Sequence, residues 1–387
     1  MNGENHESPQ FKILAALLAA TSTQQHEVMA PESTPAQGFR ESIDVASHRH
    51  SHGTATSFSS LGDTDPGRAD KKLMPAAYFA GDGSLMIQPR PMPTPRSGEI
   101  LLQTVVSALC GTDLHRFRGA RSYGSNTDVF GHESVALVME CASGEFRPGD
   151  LVLHVPYPNE GRVFAPYQLA RATNVLPLPH TLNAETAVFA QQLGTVIYAL
   201  MRFWTSSTPP VRAFVAGAGP AGLLFIQMLR LMGCEQIYVS EPNEHRRRLA
   251  VSFGATCADE TTVEVDLSID ASGAPGVRHE CWLRTKPHGT LGIYGLPDDE
   301  PGDLEVSVLG LLAKNLHLVG AIGSQSEPGL PSFLRAIDLL ASRHIEVGSL
   351  ISHRIALNEL PRTVPLAVHV TDDVVKVLVR FPTESAG

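Results

Sequence analysis

The chain has 387 residues, more than a single hydrophobic core usually supports, so two domains are expected. Hydrophobic residues make up 43% and charged residues 18%, as in a globular protein, and a net charge of −10 without a large Lys/Arg cluster argues against a nucleic-acid partner. No apolar run approaches the roughly 18 residues of a membrane span, so no membrane segment is expected.

The cysteines and the N-terminal composition bear on location. The five cysteines are widely spaced and form no C-x-x-C pair, which excludes the usual closed zinc knuckle and favours a reducing, cytoplasmic location. Residues 1–72 are rich in Ser, Thr, His, Gly and Asp without a sustained period, which predicts a disordered tail. Glu4 and Glu7 stand where a signal peptide carries positive charge, so secretion is not expected.

The first half of the ordered chain predicts short strands. Turn residues at 81–83 between apolar residues predict a hairpin over residues 76–87. Residues 99–108 are β-rich and lead directly into Cys110. Further strands are expected at residues 135–139, 151–155 and 164–169. The pattern predicts an antiparallel β domain.

The second half changes character after a helix predicted over residues 183–202, with a break near Gly194. Strands are expected at residues 212–216, 236–240, 266–270 and 290–294, with helices at 223–232 and 246–253. Strands that alternate with helices predict a parallel, doubly wound sheet. The last sixty or so residues predict a helix at 331–343 and a strand at 374–380.

A G-x-G-x-x-G pattern follows the first of these strands and opens a helix. Gly217 permits the tight turn, Gly219 lets the backbone approach a pyrophosphate, and Gly222 allows close packing of the helix. Glu241, 24 residues after Gly217 (241 − 217), ends the next strand, where a carboxylate binds ribose hydroxyls and favours NAD over NADP. Arg246 is a further candidate cofactor contact. It begins a run of three arginines that either favours a 2′-phosphate or forms a solvated helix face.

A loop-like segment from Cys110 to Glu133 contains a thiol, two imidazoles and two carboxylates. Thiolate and imidazole together suit zinc, and a catalytic zinc has about three protein ligands and one open position. Cys110 and His132 supply two ligands, so other donors must come from farther along the chain. Separately, these residues also fit a buried cysteine and a surface His-Glu pair, and only their combination with the dinucleotide motif favours a metal site.

The motifs C-G-T-D-L-H, G-H-E, R-P-G-D and V-x-G-A-G-P-x-G-L, in this order, resemble the zinc-dependent alcohol and polyol dehydrogenase branch of the medium-chain dehydrogenase/reductase superfamily. The resemblance covers residues 73–381. It implies an α/β protein with a GroES-like β catalytic domain over residues 73–192 and 325–387. A Rossmann cofactor domain over residues 193–324 follows from it, with the active site between the domains. A homodimer or homotetramer is also implied.

The resemblance assigns the metal ligands by position. Cys110 and His132 match zinc ligands, and Glu133 matches a direct or intermittent ligand. Gln191 stands where polyol and threonine dehydrogenases carry a ligand Glu, and an amide is a weaker donor than a carboxylate. The four-cysteine structural zinc lobe is absent, because residues 157–162 occupy its place. The resemblance therefore implies one catalytic zinc and no structural zinc.

Three further residues receive roles from the resemblance. Asp113 matches the carboxylate that orients the ligand histidine. Thr112 matches the hydroxyl residue that bonds the reacting alcohol, and His115 the distal end of a proton relay that passes through the cofactor ribose. His115 also fits a plain surface histidine beside a metal loop.

The predicted function is an NAD-dependent dehydrogenase acting on a secondary alcohol, such as a polyol, cyclitol, sugar or hydroxy amino acid derivative. Two alternatives stay open. One is a metal-free reductase of the same superfamily, acting on activated double bonds or quinones. The other is a catalytically silent dinucleotide-binding protein that lost its metal through the change to Gln191.

Overall fold

The computed structural model describes residues 72–79, 84–118, 129–157, 160–258, 263–297, 307–369 and 374–382. The predicted tail up to residue 71 and the predicted turn at residues 81–83 lie outside this part. Within it, the secondary structure alternates between a strand-rich region and a region in which strands and helices succeed one another.

The strands are β1 (Leu73–Phe79), β2 (Leu85–Pro91), β3 (Glu99–Ala108), β4 (Ser134–Cys141), β5 (Leu151–His154), β6 (Tyr167–Arg171), β7 (Val175–Pro177), β8 (Arg212–Ala216), β9 (Gln236–Ser240), β10 (Thr256–Cys257), β11 (Val265–Asp270), β12 (Thr285–Ile293), β13 (His317–Gly320), β14 (Ile351–Ala356) and β15 (Lys376–Arg380). The helices are α1 (Gly111–Phe117), α2 (Ala184–Ala187), α3 (Phe189–Phe203), α4 (Pro220–Met232), α5 (Glu244–Ser252), α6 (Val277–Arg284), α7 (Val308–Lys314), α8 (Pro331–Ala341) and α9 (Leu360–Val368).

The strand-rich region forms two sheets. β1 and β2 pair as the predicted antiparallel hairpin. A seven-stranded sheet has the order β14-β15-β3-β4-β5-β7, and β6 also pairs with β3. β3 is buried along nearly its whole length because strands cover both of its edges, and it is the central strand of this sheet. The predicted antiparallel β region is confirmed.

The second region is a parallel sheet of six strands in the order β10-β9-β8-β11-β12-β13. β8 comes first in the chain but lies in the interior, so the chain winds outward first to one side and then to the other. This is the doubly wound arrangement, in which ligands bind at the carboxyl ends of the strands where the winding direction reverses. The glycine-rich loop follows β8 at that point.

The C-terminal strand returns to the first sheet. β15 pairs antiparallel with β3, with Leu378 opposite Ala108, and the N–H of Leu109 donates to the Val377 carbonyl at 3.0 Å. The strands are antiparallel, so the residue two positions before Leu378 lies opposite the residue two positions after Ala108. Lys376 is therefore next to Cys110. The domain boundaries inferred from the resemblance stay a prediction.

Two local predictions were wrong. The segment after Cys110 is not a loop throughout, because Gly111–Phe117 is helix α1 with Cys110 as its N-cap. The predicted helix break near Gly194 lies instead at Val188, between α2 and α3. Gly194 is inside α3 and makes a close approach possible: a Cβ there would lie 2.4 Å from Cδ1 of Phe333 on α8. The glycine is a packing residue and does not end the helix.

Among the described residues, we find no helix with the length and apolar character needed to cross a lipid bilayer.

The packing at Gly194 predicts that Gly194→Ala destabilises the protein. The new methyl group meets the fully buried Phe333 ring, and overpacking costs about 1–3 kcal/mol. The higher helix propensity of alanine offsets at most about 1 kcal/mol of this cost. We expect the melting temperature to fall by a few degrees in thermal unfolding followed by circular dichroism.

Gly320→Ala is the matched control, because a Cβ at Gly320 has no neighbour within 4 Å and should change the melting temperature little. Phe333→Leu should restore part of the stability of Gly194→Ala. An unchanged or raised melting temperature for Gly194→Ala would contradict this packing.

Candidate active site

Paired strands bring the predicted metal ligands together. Cys110 follows β3, and His132 and Glu133 directly precede β4. The two strands pair, and the N–H of Ala108 donates to the Glu133 carbonyl at 3.0 Å. The ligand atoms of Cys110, His132 and Glu133 all lie within 4.8 Å of one another. Residues separated by a long excursion of the chain therefore form one cluster, and we call these three side chains the metal cluster.

The donor set of the metal cluster fits a bound cation. Thiolate, imidazole and carboxylate are the ligands that zinc takes in proteins. Oε1 of Glu133 and Oδ1 of Asp113 are buried and have no hydrogen-bond partner among the described residues, whereas Oε2 of Glu133 forms an ion pair with Lys376. Buried polar atoms normally have partners, and a metal ion would provide one. The cluster therefore fits zinc.

The electrostatics of Cys110 depend on that cation. Burial, followed by the Glu133 carboxylate, raises the pKa of the Cys110 thiol well above its usual range, which keeps the protein alone in the thiol form. A coordinating metal deprotonates such a thiol outright. Because ligand deprotonation accompanies metal binding, proton release should accompany loading of the site.

Helix α1 supports the cluster. The N–H of Cys110 donates to Oδ2 of Asp113 at 3.0 Å, and this contact caps the helix. Oδ1 of Asp113 lies 3.9 Å from Nδ1 of His132, close enough for charge attraction but longer than a hydrogen bond. Oγ1 of Thr112 is 3.8 Å from Sγ of Cys110. His115 lies on the same helix, one turn after Thr112.

A buried polar network lies behind β4. Nδ1 of His154 is 2.8 Å from Oε1 of Gln168, and Nε2 of Gln168 donates to the hydroxyls of Thr104 and Ser134. Burial lowers the pKa of His154 to about 4, so its ring is neutral at neutral pH. The network fixes Ser134, which directly follows Glu133, and so anchors the strand end that carries two of the cluster residues.

Sequence reasoning missed Lys376. Its Nζ lies 2.6 Å from Oε2 of Glu133 and donates to Oε1 of Gln192 at 3.1 Å. The side chains of Lys376 and Glu133 are 1% and 0% exposed. A charged residue within the apolar run of residues 374–379 was the signal that could have revealed it, because a lysine in a buried strand needs a partner.

The first turn of α3 carries the predicted amide ligand. Gln191 is buried, and its Nε2 has no hydrogen-bond partner in the described part of the chain. Its neighbour Gln192 reaches the cluster through Lys376. One turn later, Oγ1 of Thr195 lies 2.7 Å from the hydroxyl of Tyr294, which follows β12 of the parallel sheet. Helix α3 thus joins the metal cluster to the carboxyl edge of that sheet.

The glycine-rich loop has the geometry that the sequence predicted. Gly217 has φ +99°, and a Cβ at Gly222 would lie 2.0 Å from the Gly217 carbonyl oxygen. A side chain at either position is therefore excluded. Above Gly219 the space is open, and the nearest atom to a Cβ there is Nη1 of Arg246, at 3.9 Å. The loop leaves room for a phosphate group near a guanidinium.

Glu241 and Arg246 flank the glycine-rich loop. The Glu241 carboxylate accepts the N–H groups of Ala218 at 2.7 Å and Asn243 at 2.9 Å. Nε and Nη2 of Arg246 donate to the Val374 carbonyl at 3.2 and 2.7 Å, just before β15. The loop is therefore tied to the chain segment that ends in Lys376.

The other two arginines of the run have partners nearby. Nη1 of Arg247 donates to the carbonyls of Glu241 and Pro242, and Arg248 pairs with Glu244 on the same helix. Among the described residues, Arg246 is therefore the one arginine of this run that lies next to Gly219 of the loop.

Comparison with known proteins agrees with this geometry. Residues 96–180 match the alcohol dehydrogenase GroES-like domain, and residues 220–342 match the zinc-binding dehydrogenase family. The chain is 26% identical to L-threonine 3-dehydrogenase of Pyrococcus abyssi over 307 residues, covering 68% of this chain and 86% of the relative. It is 24% identical to sorbitol dehydrogenase of Gallus gallus over 336 residues, covering 75% and 91%.

The fold is also that of a solved dehydrogenase. The structure of 2R,3R-butanediol dehydrogenase from Bacillus subtilis superposes with a TM-score of 0.71 at 21% identity, covering 80% of this chain and all of that one. The two matched families together span more than half of the chain, in the predicted order of a GroES-like domain followed by a Rossmann domain. The chain therefore belongs to the zinc-dependent alcohol and polyol dehydrogenase branch of the medium-chain dehydrogenase/reductase superfamily.

Proposed function

We propose that this protein is a zinc- and NAD-dependent dehydrogenase that interconverts a secondary alcohol and its ketone. The observation that carries the proposal is the metal cluster of Cys110, His132 and Glu133, which helix α3 joins to the carboxyl edge of the dinucleotide-binding sheet. A metal ion and a nicotinamide ring bound at these two places would meet in the same cleft.

One zinc ion per chain is part of the proposal. Cys110 and His132 are the ligands, and Glu133 and Gln191 complete the shell. Bound there, the ion supplies Lewis acidity that polarises the substrate oxygen and lowers the pKa of the alcohol. The neutral Gln191 leaves the site less negative than a ligand carboxylate would.

The chain's own residues then handle the proton. In the proposed arrangement the Thr112 hydroxyl accepts a hydrogen bond from the substrate alcohol and passes its proton toward the cofactor ribose, and His115 delivers it to solvent. Asp113 fixes the start of α1 through Cys110 and faces His132, so it holds both ligands in place. The nicotinamide supplies the acceptor or donor of the hydride.

The substrate class follows from the relatives. Threonine, sorbitol and butanediol each carry a secondary hydroxyl beside another polar group. We infer that the substrate is a polyol, cyclitol, sugar or hydroxy amino acid derivative. Among the described residues, Thr195 and Tyr294 form a hydrogen-bonded hydroxyl pair near the cluster that suits a hydroxylated substrate. The oligomeric state and the cytoplasmic location stay predictions.

A preference for NAD rests on Glu241. Its carboxylate is held at the glycine-rich loop by two backbone N–H groups, where it would bind the adenosine ribose of NAD. A fixed negative charge there repels a 2′-phosphate. Arg246 lies near Gly219 and donates a hydrogen bond to the Val374 carbonyl. These contacts favour a role for Arg246 at the glycine-rich loop.

A metal-free reductase is the second candidate, and one observation favours it. Lys376 already places a positive charge 2.6 Å from Glu133, and such a charge could polarise a carbonyl without a metal. The metal content of the purified protein distinguishes the zinc-dependent dehydrogenase from the metal-free reductase.

The purified protein should contain about one zinc per chain by mass spectrometry, and a strong chelator should abolish turnover. Cys110→Ser should lose most of the zinc, whereas Cys257→Ser, at an exposed cysteine away from the cluster, should keep it. Chelator-resistant turnover by zinc-free protein would instead support the reductase. NAD binding without turnover of any alcohol would support a silent dinucleotide-binding protein.

Glu241→Ala should lower the ratio of kcat/KM with NAD to kcat/KM with NADP by about tenfold, because the repulsion of a 2′-phosphate is removed. Glu244→Ala is the control, since Glu244 is an exposed acid on the next helix. The ratio is measured by cofactor reduction at saturating substrate. An unchanged ratio in a variant of normal melting temperature rejects the role of Glu241.

His115→Ala should lower kcat/KM and change its dependence on pH, since its ring carries the proton to solvent. High concentrations of imidazole buffer should restore part of the rate. His180→Ala, at an exposed histidine far along the chain, is the control. A pH profile identical to that of the unaltered enzyme would show that His115 is only a surface residue.

A further inference from the structure

We propose that Lys376 is a positioning residue that competes with the metal ion for the Glu133 carboxylate and thereby sets the affinity of the site. The inference rests on the proposed function, because it concerns the same metal. It assigns a role to a residue that lies outside the sequence motifs quoted above.

The contact geometry supports competition. Nζ of Lys376 lies 2.6 Å from Oε2 of Glu133, and a carboxylate oxygen of Glu133 lies within 4.8 Å of the ligand atoms of Cys110 and His132. The same carboxylate therefore faces an ammonium group and the place where a cation fits. An oxygen in close contact with an ammonium group is a poorer metal donor, because its charge is already partly neutralised.

The ammonium group cannot withdraw to water. Its side chain is 1% exposed, and a second contact at 3.1 Å ties it to Oε1 of Gln192. The backbone of Lys376 is fixed by the Ser352 hydroxyl, which donates to its carbonyl at 3.0 Å, and by its pairing with Ile351 in β14. The Lys376 side chain is therefore held in place beside the carboxylate.

Charge counting gives the direction of the effect. Without metal, Lys376 compensates a buried carboxylate, and a buried charge left without its partner is strongly destabilising. With metal bound, the ammonium group and the divalent ion repel each other across a short distance. Lys376 stabilises the metal-free form relative to the loaded form, so it weakens metal binding.

Gln192 links this effect to the candidate ligand Gln191. The two amides are neighbours in the first turn of α3, and Gln192 accepts the hydrogen bond from Lys376. The Gln191 side chain is buried and its nitrogen has no partner in the described part, and its amide oxygen is the atom that would ligate the metal. With Glu133 engaged by Lys376, the amide becomes the more accessible third donor.

Zinc affinity measured by competition with a chromophoric chelator tests the proposal on the full chain. Lys376→Met should bind zinc at least about tenfold more tightly than the unaltered protein, a typical size for a change beside a metal ligand. Lys376→Arg keeps the charge and should stay within about threefold. Circular dichroism confirms folding of each variant.

A double-mutant cycle separates competition for Glu133 from general repulsion. In the Glu133→Gln background, the increase in zinc affinity caused by Lys376→Met should be smaller by a factor of at least about three, because the carboxylate for which Lys376 and the metal compete is absent. This background also protects against unfolding, since it leaves no unpaired buried carboxylate. Equal gains in both backgrounds would overturn competition, and unchanged or weaker binding by Lys376→Met would overturn the proposal as a whole. Failure of the unaltered protein to bind zinc would overturn the proposed function instead.

Discussion

The structure depends on the antiparallel pairing of β15 with β3. This pairing places the C-terminal strand beside the one that ends at Cys110, and so sets Lys376 against Glu133. It also positions the Val374 carbonyl where Arg246 of the second region binds it. β15 and the residues just before it therefore contact both the metal cluster and helix α5 of the second region.

Charge balance is the second constraint. The cluster places a partly buried thiol beside the buried carboxylates of Glu133 and Asp113. Such a site needs compensating positive charge. Lys376 supplies one, and a zinc ion would supply two more. Replacement of a ligand carboxylate by Gln191 removes one negative charge from the shell, which accords with a site that carries its own internal cation. On the proposed competition, Lys376 favours the metal-free form of the site relative to the loaded form.

The parts that the sequence predicted are those fixed by local pattern. The turn at Gly217, the close packing at Gly222 and the strand 99–108 depend on neighbours within a few residues, and the structure agrees with them. Lys376 could not be placed in this way, because its partner Gln192 is 184 residues away and only strand pairing brings them together. The helix break predicted at Gly194 was wrong for the same reason, because the partner of Gly194, Phe333, lies on another helix.

The most direct test of the account is an anomalous difference map at the zinc edge from crystals of the full chain grown with zinc. The account predicts one peak per chain, about 2.3 Å from Sγ of Cys110 and bonded to His132, with Lys376 still beside Glu133. A map without a peak at Cys110, or with Nζ of Lys376 in the position expected for the metal, would contradict it.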